Sequence, residues 1–259
     1  MKQYLRLFTV LAAVSTPAQA ALLWMDNFNA PDTNNFDGAS LAGRLSGTES
    51  GNTTFRSWGF QQSINNNQLL MPQGGNGVRF GQETARYDWA SGTSGSAILA
   101  GGGFVVAFDW IPQDNTDNEW VSYQVGTINA DNGNLVDDDY GILFRNNGGT
   151  ERFDNNVNLG AGGNFVATAG GLTRRVEITY TFSSFADGST VNVSSRVNGF
   201  QVANDSFTWD SNAGQMRMEM GNGVNNTRID NFSVSSIPEP SSALLLAGAL
   251  SLAIRRRRA

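Results

Sequence analysis

The chain of 259 residues contains no histidine and no cysteine, and its one lysine is Lys2. Without histidine, neither a Ser-His-Asp triad nor a Cys-His pair can form, and zinc and copper lose their commonest protein ligand. Without cysteine there is no disulfide framework and no thiol nucleophile. These absences leave the carboxylates as the main groups for catalysis or metal binding.

Positive charge is also scarce in the body of the chain. Between Ala21 and Ile237 there are 22 acidic residues against 11 arginines, a net charge of −11, and the whole chain reaches −6 only because both ends are basic. Nucleic acid and anionic lipid repel such an acidic body. We therefore exclude nucleic acid as a partner.

The N-terminal segment has the pattern of a secretory signal peptide. Lys2 and Arg6 precede an apolar stretch at residues 7–14, and the small residues Ala18 and Ala20 occupy the positions that signal peptidase requires. The sequence predicts a signal peptide at residues 1–20, export by the Sec machinery, and a mature chain from Ala21.

The C-terminal segment combines a rigid turn, a short apolar run at residues 243–254 and a basic end. Its marker residues are Pro238, Glu239, Pro240, Arg255, Arg256, Arg257 and Arg258. With two preceding serines the apolar run gives a hydrophobic helix of about 14 residues and about 21 Å, shorter than a hydrocarbon core of about 30 Å. The arginine cluster resists transfer across a bilayer, so we predict a transient membrane anchor with the body outside.

These C-terminal features resemble the PEP-CTERM sorting signal, also catalogued as an ice-binding protein C-terminal domain. The resemblance implies an exosortase substrate of a Gram-negative bacterium, cut near the Pro-Glu-Pro motif and passed to the cell surface or to the exopolysaccharide matrix of a biofilm. It divides the chain into a signal peptide (1–20), a body (21–236) and a sorting segment (237–259).

The body shows the alternation of β-strands and no sustained helical period. Val176, Ile178 and Tyr180, for example, alternate with Glu177 and Thr179. Clusters of Gly, Asn and Asp separate the runs, and Asn198 with Gly199 suits a tight hairpin. The clearest predicted strands fall at residues 104–111, 120–127, 142–144, 175–182, 191–197, 200–202, 216–220 and 229–234.

Residues 25–28 and 229–232 echo each other, as Met-Asp-Asn-Phe and Ile-Asp-Asn-Phe. This echo predicts that the first and last strands meet in one sheet. With about 11 to 14 strands, the body fits an all-β, antiparallel jelly-roll β-sandwich. It resembles a concanavalin A-like or laminin-G-like jelly roll.

Catalysis by a pair of carboxylates remains an open alternative. The six glutamates of the body are scattered, and no two of them lie two or four residues apart, as one face of a strand would require. We therefore expect a non-catalytic protein. The alternative is a divergent glycoside hydrolase or lyase on the same sandwich.

Two kinds of binding site are suggested by the residue pattern. Trp89 and Trp209 stand beside polar residues and are candidates for exposed, sugar-stacking aromatics. Two oxygen-rich loops suit calcium, although neither matches an EF-hand, and no other cofactor is indicated. The candidate calcium ligands are Asp114, Asp117, Glu119, Asp137, Asp138 and Asp139.

The sequence thus predicts an exported, non-catalytic protein of the cell surface or extracellular matrix that interacts with exopolysaccharide. A structural adhesin without a glycan ligand is a third possibility. Ice binding is a fourth, disfavoured because flat Thr-x-Thr arrays are missing. Five Asn-x-Ser/Thr triplets we attribute to composition; they are headed by Asn52, Asn192, Asn204, Asn225 and Asn231.

Overall fold

The computed structural model describes residues 20–29, 33–34, 55–57, 63–71, 78–80, 87–88, 93–113, 119–126, 139–154, 157–167, 170–210, 215–222 and 227–238. Residues 20–237 form one compact unit, and Pro238 lies outside it. The predicted signal peptide apart from Ala20, and the sorting segment beyond Pro238, lie outside the described residues, so both remain predictions.

Seventeen strands and one helix are present in the described ranges. The helix, α1, spans Thr93–Gly101. The strands are β1 (Leu22–Asp26), β2 (Thr33–Asn34), β3 (Phe55–Ser57), β4 (Ser63–Asn65), β5 (Gln68–Met71), β6 (Val78–Phe80), β7 (Tyr87–Asp88), β8 (Gly103–Ile111), β9 (Trp120–Gly126), β10 (Tyr140–Arg145), β11 (Thr150–Asp154), β12 (Val157–Ala161), β13 (Arg174–Thr181), β14 (Thr190–Val197), β15 (Phe200–Thr208), β16 (Gln215–Asn222) and β17 (Thr227–Ser236).

These strands form two sheets, and every described strand pair is antiparallel. The first sheet has nine strands in the order β15-β14-β13-β8-β17-β5-β4-β2, with β1 also paired to β17. The second sheet has eight strands in the order β12-β11-β10-β9-β16-β6-β3, with β7 also paired to β16. The predicted all-β, antiparallel sandwich is confirmed, and each of the clearest predicted strands is present.

The alternation of apolar and polar residues places one face of each sheet in a shared core. On β13, Val176, Ile178 and Tyr180 are fully buried. Tyr140 of the second sheet stacks on Phe207 of the first, with ring centroids 5.4 Å apart. Since burying a large apolar side chain contributes about 1.5–3 kcal/mol, this core accounts for the packing of the two sheets face to face.

The first and last strands of the body lie side by side. Strand β1 pairs with β17, in a register that joins Met25 to Ser233 and Asp26 to Phe232. Phe28 and Phe232, which end the two echoing tetrapeptides, are both fully buried. The prediction that these strands meet in one sheet is therefore confirmed.

The tight hairpin between β14 and β15 is confirmed as well. Asn198 and Gly199 connect the strands with φ angles of 50° and 82°. Positive φ at both positions is the requirement of a type I′ turn, which Asn-Gly meets at low steric cost. This turn fixes the register of the two strands that carry the site described below.

Helix α1 corrects the expectation of a body without helix. Its nine residues include Gly95 and three hydroxyl residues, so the sequence carries little helical signal. Ile98 is nevertheless fully buried in the core, and this packing stabilises the short helix. Within the described residues, no helix has the length and apolar character needed to span a membrane.

Candidate functional site

An open depression lies where the outer strands of the two sheets approach each other. Strand β15 ends the first sheet, and β12, next to β11, ends the second. The depression has a volume of about 590 Å³ and is called here the edge depression. Its lining residues are Arg152, Leu159, Asn192, Asn204, Asp205 and Ser206.

Asp205 forms the floor of the edge depression and connects the two sheets. Its Oδ2 accepts a hydrogen bond from the Tyr140 hydroxyl at 2.8 Å, and its Oδ1 accepts one from Arg152 Nη1. The side chains of Asp205 and Arg152 are 10% and 20% exposed. Because the arginine compensates the charge, a largely buried carboxylate is held in a fixed orientation.

Arg152 also fixes the edge of the second sheet. Its Nη2 donates to the carbonyl oxygens of Leu159 and Ala161, at 3.3 and 3.1 Å. These bonds cross the irregularity in the pairing of β11 with β12, which falls between Arg152 and Phe153. The guanidinium therefore joins three strands and can present little of itself to a ligand.

Tyr140 is fully buried beneath Asp205. Burial raises the pKa of its hydroxyl far above the ordinary value, and the negative charge of Asp205 raises it further. The hydroxyl is therefore neutral at physiological pH and donates to the carboxylate. A tyrosine in this state is a poor general base, which bears on the chemistry open to the site.

The rim of the depression is polar on one side and apolar on the other. Asn192, Asn204 and Ser206 are exposed, and Leu159 is 37% exposed. Amide and hydroxyl groups beside an aliphatic wall, in an open cleft of a few hundred Å³, offer a small ligand both hydrogen bonds and an apolar contact. The arrangement can bind a polyhydroxylated ring by hydrogen bonds to its edge and apolar contact with its face.

Further carboxylates surround this end of the sandwich. Burial raises the pKa of Asp154, and the charges of Asp210 and Asp205 add to the effect. Burial likewise raises the pKa of Asp210, with a contribution from Asp187. These carboxylates form no metal-binding group, since the described residues contain no set of three acidic side chains placed to hold an ion.

The structure corrects the expectation for Trp209. Its side chain is only 1% exposed, so it cannot stack on a sugar from solvent. It packs edge-on against Phe207 and Phe182, with centroids 5.0 and 5.5 Å away. The polar residues that follow Trp209 suggested exposure, but the tryptophan continues the inward alternation of β15. Trp89 lies outside the described residues.

Glu119 has a structural role in the described part of the chain. It is 1% exposed. Its Oε1 accepts hydrogen bonds from the backbone N–H of Gln113 at 2.7 Å and from the Thr227 hydroxyl at 2.9 Å. Asp139 is equally buried. The other candidate calcium ligands, Asp114, Asp117, Asp137 and Asp138, lie outside the described residues, so calcium binding stays a prediction.

The lining of the edge depression was not predicted as a set. Asn192 and Asn204 carried a signal, because each heads an Asn-x-Ser triplet on an alternating strand, where such spacing places Asn and Ser on one face. The asparagine-rich composition of the chain accounts for such triplets equally well. Arg152 and Asp205 are 53 residues apart, and only the sandwich brings them together.

The β-sandwich of the body is also found in chains of known structure. Its structure is similar to that of the alginate lyase Aly36B, with a TM-score of 0.51 and 10% identity over 84% of this chain and 98% of the lyase chain. It is also similar to Trypanosoma rangeli sialidase in complex with the inhibitor DANA, with a TM-score of 0.50 and 11% identity over 91% of this chain. The match covers only 34% of the sialidase chain.

No protein family and no curated protein matches the chain in sequence. At identities this low, the structural likeness establishes the fold and leaves the activity open.

Proposed function

We propose that this chain is an exported, non-catalytic protein of the cell surface or extracellular matrix, and that it binds polysaccharide through the edge depression. The observation that carries the proposal is the fixed Asp205 carboxylate beside two exposed amides, a hydroxyl and the aliphatic wall of Leu159. Each group matches a feature of a sugar: hydroxyls that donate or accept, and an apolar ring face.

The fixed orientation of the Asp205 carboxylate supports ligand binding by the edge depression rather than catalysis. Both oxygens of Asp205 accept hydrogen bonds from largely buried donors, which hold the carboxylate in one orientation. Tyr140 is held in its neutral form beneath it. These groups suit a static acceptor for sugar hydroxyls better than they suit a general acid or base.

The C-terminal segment supports the export part of the proposal. Pro238, Glu239 and Pro240, followed by an apolar run and four arginines, have the order of a PEP-CTERM signal. We propose that an exosortase releases the body from its transient membrane anchor.

We also propose that the strands of the sandwich follow the jelly-roll topology.

A lyase or glycoside hydrolase is the second candidate function. The similarity to the alginate lyase Aly36B, which covers nearly the whole of that chain, favours it. This alternative requires a catalytic group elsewhere on the sandwich, since the edge depression holds its carboxylate between Tyr140 and Arg152.

Binding and cleavage are separated by one set of measurements. The mature body is applied to a glycan array with and without calcium, and retained glycans are then titrated against Asn204→Ala and Asp205→Asn. Each lost hydrogen bond should weaken binding about two- to tenfold. Gln201→Ala, an exposed position on the same strand but outside the depression, is the matched control.

The outcomes are distinct. Weaker binding by Asn204→Ala with an unchanged control supports the proposal, and this surface variant avoids the folding cost that Asp205→Asn could carry. Release of reducing ends or unsaturated products from matrix polysaccharide would establish the enzyme instead. A folded body that neither retains nor cleaves any glycan would leave a structural adhesin.

A further inference from the structure

The outward face of β13, β14 and β15 carries a block of short hydrogen-bonding side chains. The register aligns Thr181 with Asn192 and Ser206 in one row, and Thr179 with Ser194 and Asn204 in the next. Thr190 pairs with Thr208 beyond them. We call this block the hydroxyl–amide face; its members are Thr179, Thr181, Thr190, Asn192, Ser194, Asn204, Ser206 and Thr208.

These side chains are open to a ligand. They alternate with fully buried residues such as Ile178 and Tyr180, so they project away from the core. Six of them are exposed, and Thr179 and Ser194 are half-buried. Within the described residues, none of the eight side chains hydrogen-bonds to another group of the protein. In the described part of the chain, their donors and acceptors are therefore available to a ligand.

The face carries no charge. On the outward side of β13 and β14 the charged residues are Arg175, Glu177 and Arg196. Glu177 stands opposite Arg196 in the row next to Thr179 and Ser194, so the two opposite charges offset each other there. The body as a whole carries a net charge of −11. A polyanion would meet general repulsion from the acidic body, and the charge of the neighbouring Arg196 is offset by Glu177 opposite it. A neutral polymer would meet no such repulsion.

The dimensions of the face suit a polymer better than a single sugar. Neighbouring strands lie ~4.8 Å apart, so three strands span ~10 Å, and alternate residues repeat every ~6.8 Å along each strand. Short side chains such as Thr, Ser and Asn also lose little conformational entropy when a ligand orders them. Many weak, regularly spaced hydrogen bonds can then add up along a chain.

The face is continuous with the edge depression, because Asn192, Asn204 and Ser206 belong to both. We infer that the hydroxyl–amide face is a platform for an uncharged polysaccharide chain, one unit of which occupies the edge depression. This inference rests on the proposed polysaccharide binding and adds to it the extent of the site and the charge class of the ligand.

The test uses variants of the face that leave the depression intact. Thr179→Val with Ser194→Ala removes two hydroxyls at nearly constant shape, and Thr181→Val with Thr208→Val is a second pair in case the first does not fold. Each pair is compared with wild type in affinity electrophoresis against dextran, laminarin, galactomannan and alginate. The retained polymer and a trisaccharide cut from it are then titrated.

We expect wild type to retain a neutral polymer and not alginate, with little dependence on salt. Each double variant should bind that polymer about tenfold more weakly, because the polymer loses two hydrogen bonds to the hydroxyl–amide face. It should bind the trisaccharide as wild type does, because the trisaccharide occupies only the edge depression. A loss of affinity for the polymer, with unchanged affinity for the trisaccharide, would identify the hydroxyl–amide face as the platform.

Three results would overturn this inference in distinguishable ways. If both double variants bind the polymer as wild type does while Asn204→Ala weakens binding, the polymer is bound by the edge depression without a contribution from the hydroxyl–amide face. Retention of alginate alone would refute the uncharged class. If wild type retains neither polymer nor trisaccharide, the proposed function itself fails.

Discussion

Asp205 is a residue at which polar contacts connect the two sheets of the sandwich. It lies on β15 of the first sheet, and its carboxylate accepts hydrogen bonds from Tyr140 and Arg152 of the second sheet. A buried carboxylate without such partners would be costly, so the three side chains stabilise one another. The same contacts leave the carboxylate fixed at the floor of the edge depression.

The buried Tyr140 should give the protein a marked alkaline sensitivity. Its pKa is raised in the folded state, so the unfolded chain loses this proton first, near pH 10. Its stabilising contribution is complete below that pH and declines as the pH rises further. Tyr140→Phe should therefore reduce the slope of the free energy of unfolding above pH 10 by up to about 1.4 kcal/mol per pH unit.

Chemical denaturation between pH 7 and pH 11 measures this slope. At pH 7 the variant should lose about 1 kcal/mol, because Asp205 loses one donor. An identical slope in Tyr140→Phe and wild type would contradict the assignment of the alkaline titration to this hydroxyl.

Glu119 should contribute to stability whether or not calcium binds nearby. Glu119→Gln weakens the acceptor that serves the Gln113 amide and the Thr227 hydroxyl, and the cost should be about 1–3 kcal/mol. The unfolding free energies of wild type and variant are compared in calcium and in a chelator. A difference between them that vanishes in the chelator would show that Glu119 acts mainly as a metal ligand.

At the scale of elements, strands were predictable and the helix was not. Period-two alternation reports the two faces of a strand directly, as in β13 and β14. Helix α1 depends on the burial of Ile98 in the core between the sheets, and the local sequence pattern does not predict that burial. Trp209 became a candidate for exposure because its sequence neighbours are polar, but its spatial neighbours are Phe182 and Phe207.

The edge depression, too, could be predicted only in part from the sequence. Its amides stood out in sequence at alternate positions of their strands, but its floor requires β11 and β15 to meet across the sandwich. Pairing between elements of different sheets is set by long-range packing, which a single sequence does not display.

The junction of α1 with β8 should be intolerant of any side chain at Gly103. There φ is +145°, and a Cβ would lie 1.9 Å from the carbonyl oxygen of Tyr180 on the paired strand. Gly103→Ala must therefore displace backbone and should cost about 3 kcal/mol or more. Thermal and denaturant unfolding report the loss.

Gly199→Ala is the matched control for this prediction. Gly199 has φ of +82° but open space around the added Cβ, so the variant should lose only about 1–2 kcal/mol from backbone strain. Equal losses in the two variants would show that the close approach to Tyr180 is unimportant.

At the scale of the whole molecule, charge is distributed by segment. The body has a net charge of −11, and the basic residues outside it are confined to the two ends. This division suits a protein whose ends direct export and whose body meets a ligand outside the cell. It also argues for a neutral ligand, because an acidic surface disfavours polyanions.

The sorting proposal predicts that the terminal arginines are needed for delivery. Replacing Arg255 to Arg258 by serine removes the charge that resists translocation, so surface delivery and processing should fail. Cell fractionation and the mass of the mature chain measure both. Arg196→Ser, an exposed arginine of the body, is the control, and unchanged delivery of the fourfold variant would count against the sorting signal.

Retention of a neutral polysaccharide by the mature body is the measurement that tests the central claim most directly. Wild type and the double variant Asn192→Ala with Asn204→Ala are run through gels that contain the polymer, and the length of the polymer is measured afterwards. We predict retarded migration of wild type, clearly weaker retardation of the variant, and a polymer of unchanged length. Unretarded migration of wild type in every polymer, or shortening of the polymer, would contradict the account.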